Sequence, residues 1–569
     1  MKQPLPLHHH SVLFKSPGIL FSAVFMLLTA LCALAESPPG PQKAGSGIYD
    51  IRDFGAKGDG VTVNTKAIQA AIDACAANAG GTVLVAGGSF RSGTIQLKDN
   101  VTLELAATGR ILGSTNRADY LDRNTMVDRG VPTSNGNIVL LFAANATNVT
   151  IEGRGTIDGD GGVFYTGHGD GSGPRTPGSP APSNAPNVDR PHLIVFRDCK
   201  NILMRDVFLT RSAYHCVRIL NCEYVHFSSV RIFNRVNLNN DGFHFNDCRY
   251  VNIDNCNIKC QDDACALFGS NQYVTVENCS FSTRWSVFRF GGGSPNHIAV
   301  ANCLIYETYG CPIKFGGGNC SNITFDNIIM RDVTGPISIT EGGGYGRRNG
   351  GATNDMQTAR PRPAIRNISF SNIEATVVKE PQQQEDMPFV PGIRDGEKFS
   401  CITLNAVNGG IIEDITFNNV HVTSSGGGTA EMGAVRNVST NTGEYFGIGI
   451  RPAYGLYARG IKGLSLQNVR FDTTSADLRP AVILDGVSDA AIDNLSVQGN
   501  DGAESALRFI DTRDTLVTGA RLLSSAPVFL AVEGAKSSNI KIDGGDFSKA
   551  GKALKIDRDA ADDAAKIRE

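Results

Sequence analysis

Charge is scarce in this chain of 569 residues: Asp, Glu, Lys and Arg supply 19% of it, against about 25% in an ordinary globular domain. The two signs nearly cancel, to a formal net charge of −3. No basic stripe is interleaved with aromatics either, which excludes nucleic acid and an acidic membrane surface as partners. No CxxC pair occurs, so a zinc knuckle is excluded. The glycine-rich stretch 55–60 lacks the Lys-Ser/Thr that would make it a phosphate loop. Beyond "GILFSAVFMLLTALCALA" at 18–35, no run is long and apolar enough to span a bilayer. Helical patterning is missing between the apolar segments of most of the chain, which excludes β-α-β units. What is plentiful is glycine, 64 residues, together with asparagine in recurring contexts.

The one apolar run reads as a targeting signal. Lys2 and Lys15 flank a polar start, and Ala33-Leu34-Ala35 fits small-residue cleavage. A membrane anchor is the alternative; the small residues and the "ESPPGPQ" that follows favour cleavage. The expectation is a signal peptide over 1–35, a linker over 36–47, and a secreted or periplasmic mature chain without a membrane span. Fourteen cysteines in an exported chain would ordinarily suggest disulfides, but their placement in the repeat described next points to buried thiols.

Short segments of one kind recur: "NILMRDV" at 201, "YVHFSSV" at 224, "YVNIDNC" at 250, "YVTVENC" at 273, "HIAVANC" at 297 and "NITFDNI" at 322, every 23 to 26 residues. "NISFSNI" at 367, "DITFNNV" at 414 and "GLSLQNV" at 463 continue the series at wider spacing. Each alternates apolar and polar positions, as a short half-buried strand does. One strand phase at a constant period implies coils stacked in parallel, an all-β solenoid, with equivalent residues about 4.8 Å apart. Asn255, Asn278, Asn302, Asn327, Asn372, Asn419 and Asn468 then form a column at one bend, each amide placed to bond the next coil. Cys256, Cys279 and Cys303 stack as small interior residues.

The front of the mature chain differs. "YDIRDFGAKGDGVTVNTKAIQAAIDAC" reads as a strand, a glycine-rich turn and a short amphipathic helix with Asn64 or Thr65 as cap and Ile68, Ile72 and Cys75 on one face. Such a helix covers the open end of a solenoid, which would otherwise expose an edge and the core. The expected organisation is one domain over 48–557, interrupted by loops near 166–188, 341–398 (in two parts, 341–363 and 376–398) and 424–445, with a polar tail at 558–569. A monomer is expected.

"CQDDACALFG" at 260–269 sets two carboxylates side by side in an apolar run. On a regular strand one of them would face the core, where an unpaired charge is costly. "NNDGFHFND" lies one coil earlier, and Asp241 precedes Asp263 by 22 residues. Extending that register gives three columns: Asn240, Asp262, Trp285, Gly310; Asp241, Asp263, Ser286, Cys311; and His244, Ala266, Arg289, Lys314. Phe243, Cys265, Phe288 and Ile313 face inward between them. The pair therefore sits at a bend, where alternation fails and both side chains can face one groove. Asp241, Asp262 and Asp263 cluster there as candidate catalytic residues, with His244, Arg289 and Lys314 beside them as candidate substrate-binding residues. Mutual repulsion raises at least one carboxyl pKa, giving one protonated acid and one ionised base, the pair that glycoside hydrolysis requires. Turn-forming Asp residues and a calcium site are the alternatives; Arg289 and Lys314 in the same groove suit an anionic sugar better than a dense cation site.

"NNDG" followed one coil later by "QDDACA" resembles the Asn-Thr-Asp and Asp-Asp motifs of polygalacturonases, glycoside hydrolase family 28. "GRGTIDGDG" at 153–161 and "DFGAKGDGVTVNTKAIQAAI" are similar to that family and its pectin-lyase-like relatives. The resemblance covers roughly residues 48 to 330 and beyond that only the period. It implies a right-handed parallel β-helix and inverting hydrolysis of a pectin-type or other acidic polysaccharide, with Asp262 as general acid, Asp241 and Asp263 holding the attacking water, and no metal or cofactor. Two motifs depart from the pattern. The Gly-His-Gly motif reads Trp285-Ser286-Val287, and Arg-Ile-Lys reads Pro312-Ile313-Lys314. His244 stands where polygalacturonases usually have another Asp. A calcium-dependent polysaccharide lyase with Arg289 or Lys314 as base, an inverting hydrolase of a neutral glucan (dextranase-like), and a non-catalytic glycan-binding solenoid stay open.

Overall fold

The computed structural model describes residues 47–131, 138–164, 190–342, 362–380, 384, 387, 396–440, 449–557 and 559–568. The expected leader, the linker up to residue 46, the insertion 166–188 and most of 341–398 lie outside them. Among the described residues no helix is long and apolar enough to cross a membrane.

Among the described residues every strand pairing is parallel. Glu223–Ser228, Arg249–Asp254, Gln272–Glu277 and Asn296–Thr308 stack so that Val225, Val251, Val274 and Ile298 lie level, one coil above another. Of the described strands, fifteen, from Ile95–Gln96 to Ala550–Ile556, form one continuous sheet, and 26 others merge into a second. The merger occurs because strands such as Asn296–Thr308 and Ser321–Val333 run on around a corner instead of ending there. The core fills the space between, in one cluster that extends from Ile51 to Ala565. This is a parallel β-helix. The expected insertion 341–398 is divided by a coil strand, Ala364–Val377, that pairs with Ser321–Val333 and Ile411–Ser424.

The asparagine column turns the corner. Along Asn296–Thr308, Ile298 and Val300 point inward, and so do Cys303 and Ile305. Inward positions thus advance by two, then three, then two. The extra residue is Asn302, whose φ of 54° is left-handed, a conformation that Asn tolerates better than other side-chain-bearing residues. Asn255, Asn278, Asn327, Asn372, Asn419 and Asn468 share it. The expected amide ladder is only partial: Asn327 donates to Asn302 at 2.8 Å and Asn419 to Asn372 at 2.8 Å, but Asn372 donates to Asp326 and Asn255 to Asp254. Backbone conformation, more than amide pairing, explains the column.

All thirteen described cysteines are buried free thiols. Cys256 and Cys279 stack as expected, the amide of the first donating to the sulfur of the second at 3.3 Å.

The cap is the helix Thr65–Ala77, which buries Ile68, Ala71, Ile72 and Cys75. Asn64 holds the N-cap position without capping through its side chain. Its amide instead accepts from Lys57 N–H and donates to the Thr62 carbonyl, tying the glycine-rich turn. At the other end, Ala565–Arg568 within the expected polar tail adds a last parallel strand, Ala565 level with Ile540. In the expected loop 424–445, Ala430–Ala434 is a short helix whose cap, Thr429, accepts from the amide of Met432.

The corner conformation carries a measurable cost. Asn278→Val, a β-branched residue at φ 55°, is expected to lose about 1–3 kcal/mol of stability, while Asn278→Gly stays within about 1 kcal/mol. Urea denaturation of both variants checks this; equal losses would refute the backbone explanation.

Candidate active site

The outer face of the 15-stranded sheet carries the register read from the sequence. Phe243, Cys265, Phe288 and Ile313 are level and buried, and His244, Ala266, Arg289 and Lys314 are level beside them. The acids lie just before these strands, where each coil turns in from the other sheet.

Two asparagines shape the first turn. Asn240 is fully buried; its oxygen accepts from the amides of Val236 and Asn237, and its nitrogen donates to the carbonyls of Ser212 and Tyr214. It thereby replaces the ladder bonds that the turn gives up and fixes Asp241, whose carbonyl also accepts from Asn234 Nδ2. One coil on, Asp262 accepts the amide of Asp263 at 2.9 Å and Asn239 Nδ2 at 3.2 Å. Asp263 accepts from Arg289 Nη1 at 2.9 Å and from the amide of Ser286 at 3.3 Å. The bend thus lets both neighbours face outward: Asp262 half-buried, Asp263 only 3% exposed and paired.

Asp241, 4% exposed, has its Oδ2 2.7 Å from Nδ1 of His244. His215 Nε2 lies 3.7 Å from the same oxygen. Tyr214, His215, His244 and Phe268 form one stack, with centroids 4.3, 4.6 and 5.1 Å apart and planes within 15°. A guanidinium lies over each end: Arg190 at 4.3 Å from the Tyr214 ring and Arg289 at 5.2 Å from that of Phe268. His215, Asp241 and His244 place their ligating atoms within 4.8 Å of one another. The two imidazole rings stack within 10° of parallel, and both turn a nitrogen toward the same Asp241 oxygen.

Burial sets the protonation of the cluster. Asp241 has its pKa raised well above the ordinary carboxyl value, first by desolvation and then by the charge of Asp263; Arg289, Arg218 and Arg190 offset this in part. Desolvation, helped by Arg218, lowers His244 to about 3, so its ring is neutral at physiological pH. His215 and His192 are likewise held well below the usual imidazole value by burial. Lys314, 2% exposed, is lowered to about 7 by burial and the neighbouring Arg289.

All six expected residues meet on this face. Asp262 acts electrostatically on both Lys314 and Tyr214, which places it with the others. The sequence reading missed His215, Arg218, Tyr214 and Arg190. A signal existed: Arg218 is level with His244, and the amide of Cys216 bonds the Asp241 carbonyl. That coil is 26 residues long instead of 22, which hides the match. Ser286 is fully buried and donates its hydroxyl to the Gly310 carbonyl.

Apolar packing covers the outer face of the sheet two strands before the one that follows Asp241. Met126 and Val131 pack across Val139, Phe142 and Val195 on the outer face of the sheet. A single strand, Val217–Leu220, separates His192–Arg197 from Phe243–Asn246. Further along in the other direction, Val438 and Ala453 cover Tyr457 and Ile483.

The chain is similar to known proteins. The family profile of Glycosyl hydrolases family 28 matches residues 59–386. An exo-poly-alpha-D-galacturonosidase of Dickeya chrysanthemi is 25% identical over 457 residues, covering 69% of this chain and 74% of that protein. Among solved structures, a family 28 exopolygalacturonase of Yersinia enterocolitica superposes with a TM-score of 0.56 at 19% identity, covering 78% of each chain. A hyperthermoactive exopolygalacturonase of Thermotoga maritima gives 0.53 at 18%, covering 76% of this chain and 93% of that one. The architecture is that of the right-handed parallel β-helix. With a profile match over more than half its length, across a range that contains Asp241, Asp262 and Asp263, this chain belongs to glycoside hydrolase family 28 and is a glycoside hydrolase.

Proposed function

We propose that the protein hydrolyses an acidic, pectin-type polysaccharide outside the cytoplasm, with inversion and from a chain end. The observation that carries the reading is the level row of Arg289 and Lys314 on the face where Asp241, Asp262 and Asp263 meet. Cations fixed one coil apart match a chain that bears a carboxylate on successive sugars. Arg289 holds Asp263 and Lys314 lies buried one coil beyond it, so together they supply the positive field that a substrate carboxylate meets.

In the proposed mechanism Asp262, the most exposed of the three acids, protonates the leaving glycosidic oxygen. Asp241 and Asp263 hold a water on the opposite face of the sugar and accept its proton as it attacks the anomeric carbon. The nearby wall of Met126 and Val131 supports exo action: the strand that carries Val195 lies two strand spacings, ~10 Å, from the strand that follows Asp241, which leaves room for only one or two sugars. The relatives named above are exo-acting by their names, which agrees.

Asp262→Asn is expected to lower the release of reducing ends from polygalacturonate by about 10²–10⁴-fold with an unchanged thermal unfolding curve; near wild-type turnover would refute the assignment. Proton NMR of fresh product should show the inverted anomer first. Products should be monosaccharides from the earliest times with little fall in solution viscosity, whereas a rapid viscosity drop would mean internal cleavage.

The pH dependence follows from two groups. A base works only above its pKa, so the raised value of Asp241 places the acid limb of kcat/KM above the usual carboxylate range. Lys314 is charged only below about 7, so binding of an anionic substrate weakens as pH rises through that value. Lys314→Arg is expected to move the alkaline limb upward; an unmoved limb would exclude Lys314 from substrate binding.

A further inference from the structure

We propose that His244 is a positioning residue for Asp241: its Nδ1–H donates to Oδ2 and holds the buried carboxylate in its basic form, with Oδ1 left for the attacking water. This rests on the hydrolytic reading of Asp241. It departs from the expectation that His244 contacts substrate, and also from the family pattern, which usually has aspartate at this position and a histidine where this chain has Ser286.

The geometry is specific. One proton lies on the 2.7 Å contact between His244 Nδ1 and Asp241 Oδ2. If it sits on nitrogen, Asp241 is a carboxylate and can take a proton from water. If it sits on oxygen, Asp241 is already an acid and cannot. Burial and the charge of Asp263 push toward the second state, while Arg289, Arg218 and Arg190 push toward the first. A neutral N–H donor adds to the first without bringing another charge.

The ring cannot readily turn away. It is sandwiched between His215 at 4.6 Å and Phe268 at 5.1 Å, and the stack is closed by Arg190 and Arg289. The charged and titratable groups facing it are Arg218, Asp263 and Arg289; His215, Tyr214 and His192 continue the aromatic side, with Lys314 two coils beyond Ala266. None of these donates to Asp241 at hydrogen-bond distance; His215 stops at 3.7 Å. His244 is therefore placed to set the ionisation of Asp241, and Phe at 244 would keep the stack while removing the donor.

Two measurements on the full-length protein test this. In the first, His244→Phe is expected to lower kcat about tenfold or more, leave KM nearly unchanged, and move the acid limb of kcat/KM upward by about one pH unit. His244→Asn, whose amide nitrogen can take the place of Nδ1, should return the limb toward wild type. A changed KM with an unmoved limb would make His244 a substrate contact and overturn the proposal. In the second, the ring nitrogens of His244 are read by 15N NMR in the Asp262→Asn protein without substrate, using the spectrum of a His244→Asn, Asp262→Asn double variant for assignment. A neutral ring protonated at Nδ1 between pH 5 and 8 is expected; protonation at Nε2 alone would overturn the proposal. This readout needs no turnover, so it separates a failure here from a failure of the hydrolytic reading.

Discussion

The structure depends on one constraint: parallel strands stacked in register, coil upon coil, at the hydrogen-bonding distance between strands. Each backbone donor and acceptor on a coil face finds its partner on the next coil, so no wall of the helix is left with a free edge except at the ends. The N-terminal helix covers one end with Ile68, Ala71, Ile72 and Cys75. The same constraint makes residues distant in sequence into neighbours at fixed spacing. That is how Arg289 comes to lie beside Lys314, and how Asp241 comes within the field of Asp263.

Corners are where the regular alternation gives way, and they serve two ends. At the asparagine corner, one left-handed residue resets the phase so that both arms of a long strand point apolar side chains inward. Four neighbouring coils carry Tyr224, Tyr250, Tyr273 and His297 in the same backbone state at another corner, where face-to-face stacking offsets some of the conformational cost. At the acid corner the chain gives up part of its regular bonding, and Asn240 substitutes its amide there. That local release lets Asp262 and Asp263 share a face although they are adjacent in sequence.

The groove holds charge in a partly dry environment, and the consequences run in opposite directions for its members. Desolvation drives Asp241 toward its protonated form and Lys314 toward its neutral form. Asp263 is paired to Arg289, while His244 and His215 stay neutral under the same burial. The result is a site with several partly compensated charges, and protonation there is set by neighbours one coil away more than by intrinsic acidity. Its polar edge is closed by apolar packing: Met126 and Val131 lie over the outer face just beyond the Val217–Leu220 strand.

The sequence by itself determined the fold class, the capping helix and the level columns through Asp241, Asp263, His244, Arg289 and Lys314, because a strand period of two multiplied by a near-constant coil length leaves a single register. Where coil length varied, that inference stopped: the longer coil before His244 concealed His215 and Arg218, and the departure of "WSV" from the family motif left no sign of the Tyr214–Phe268 stack. Tertiary structure alone decided which amides pair along the asparagine column, that Asn64 ties a turn instead of capping its helix, that the C-terminal segment adds a strand, and where the groove is walled. Those outcomes depend on which side chains meet across coils and loops of unequal length. A periodic pattern carries the spacing between coils, but it does not carry what an irregular segment packs against.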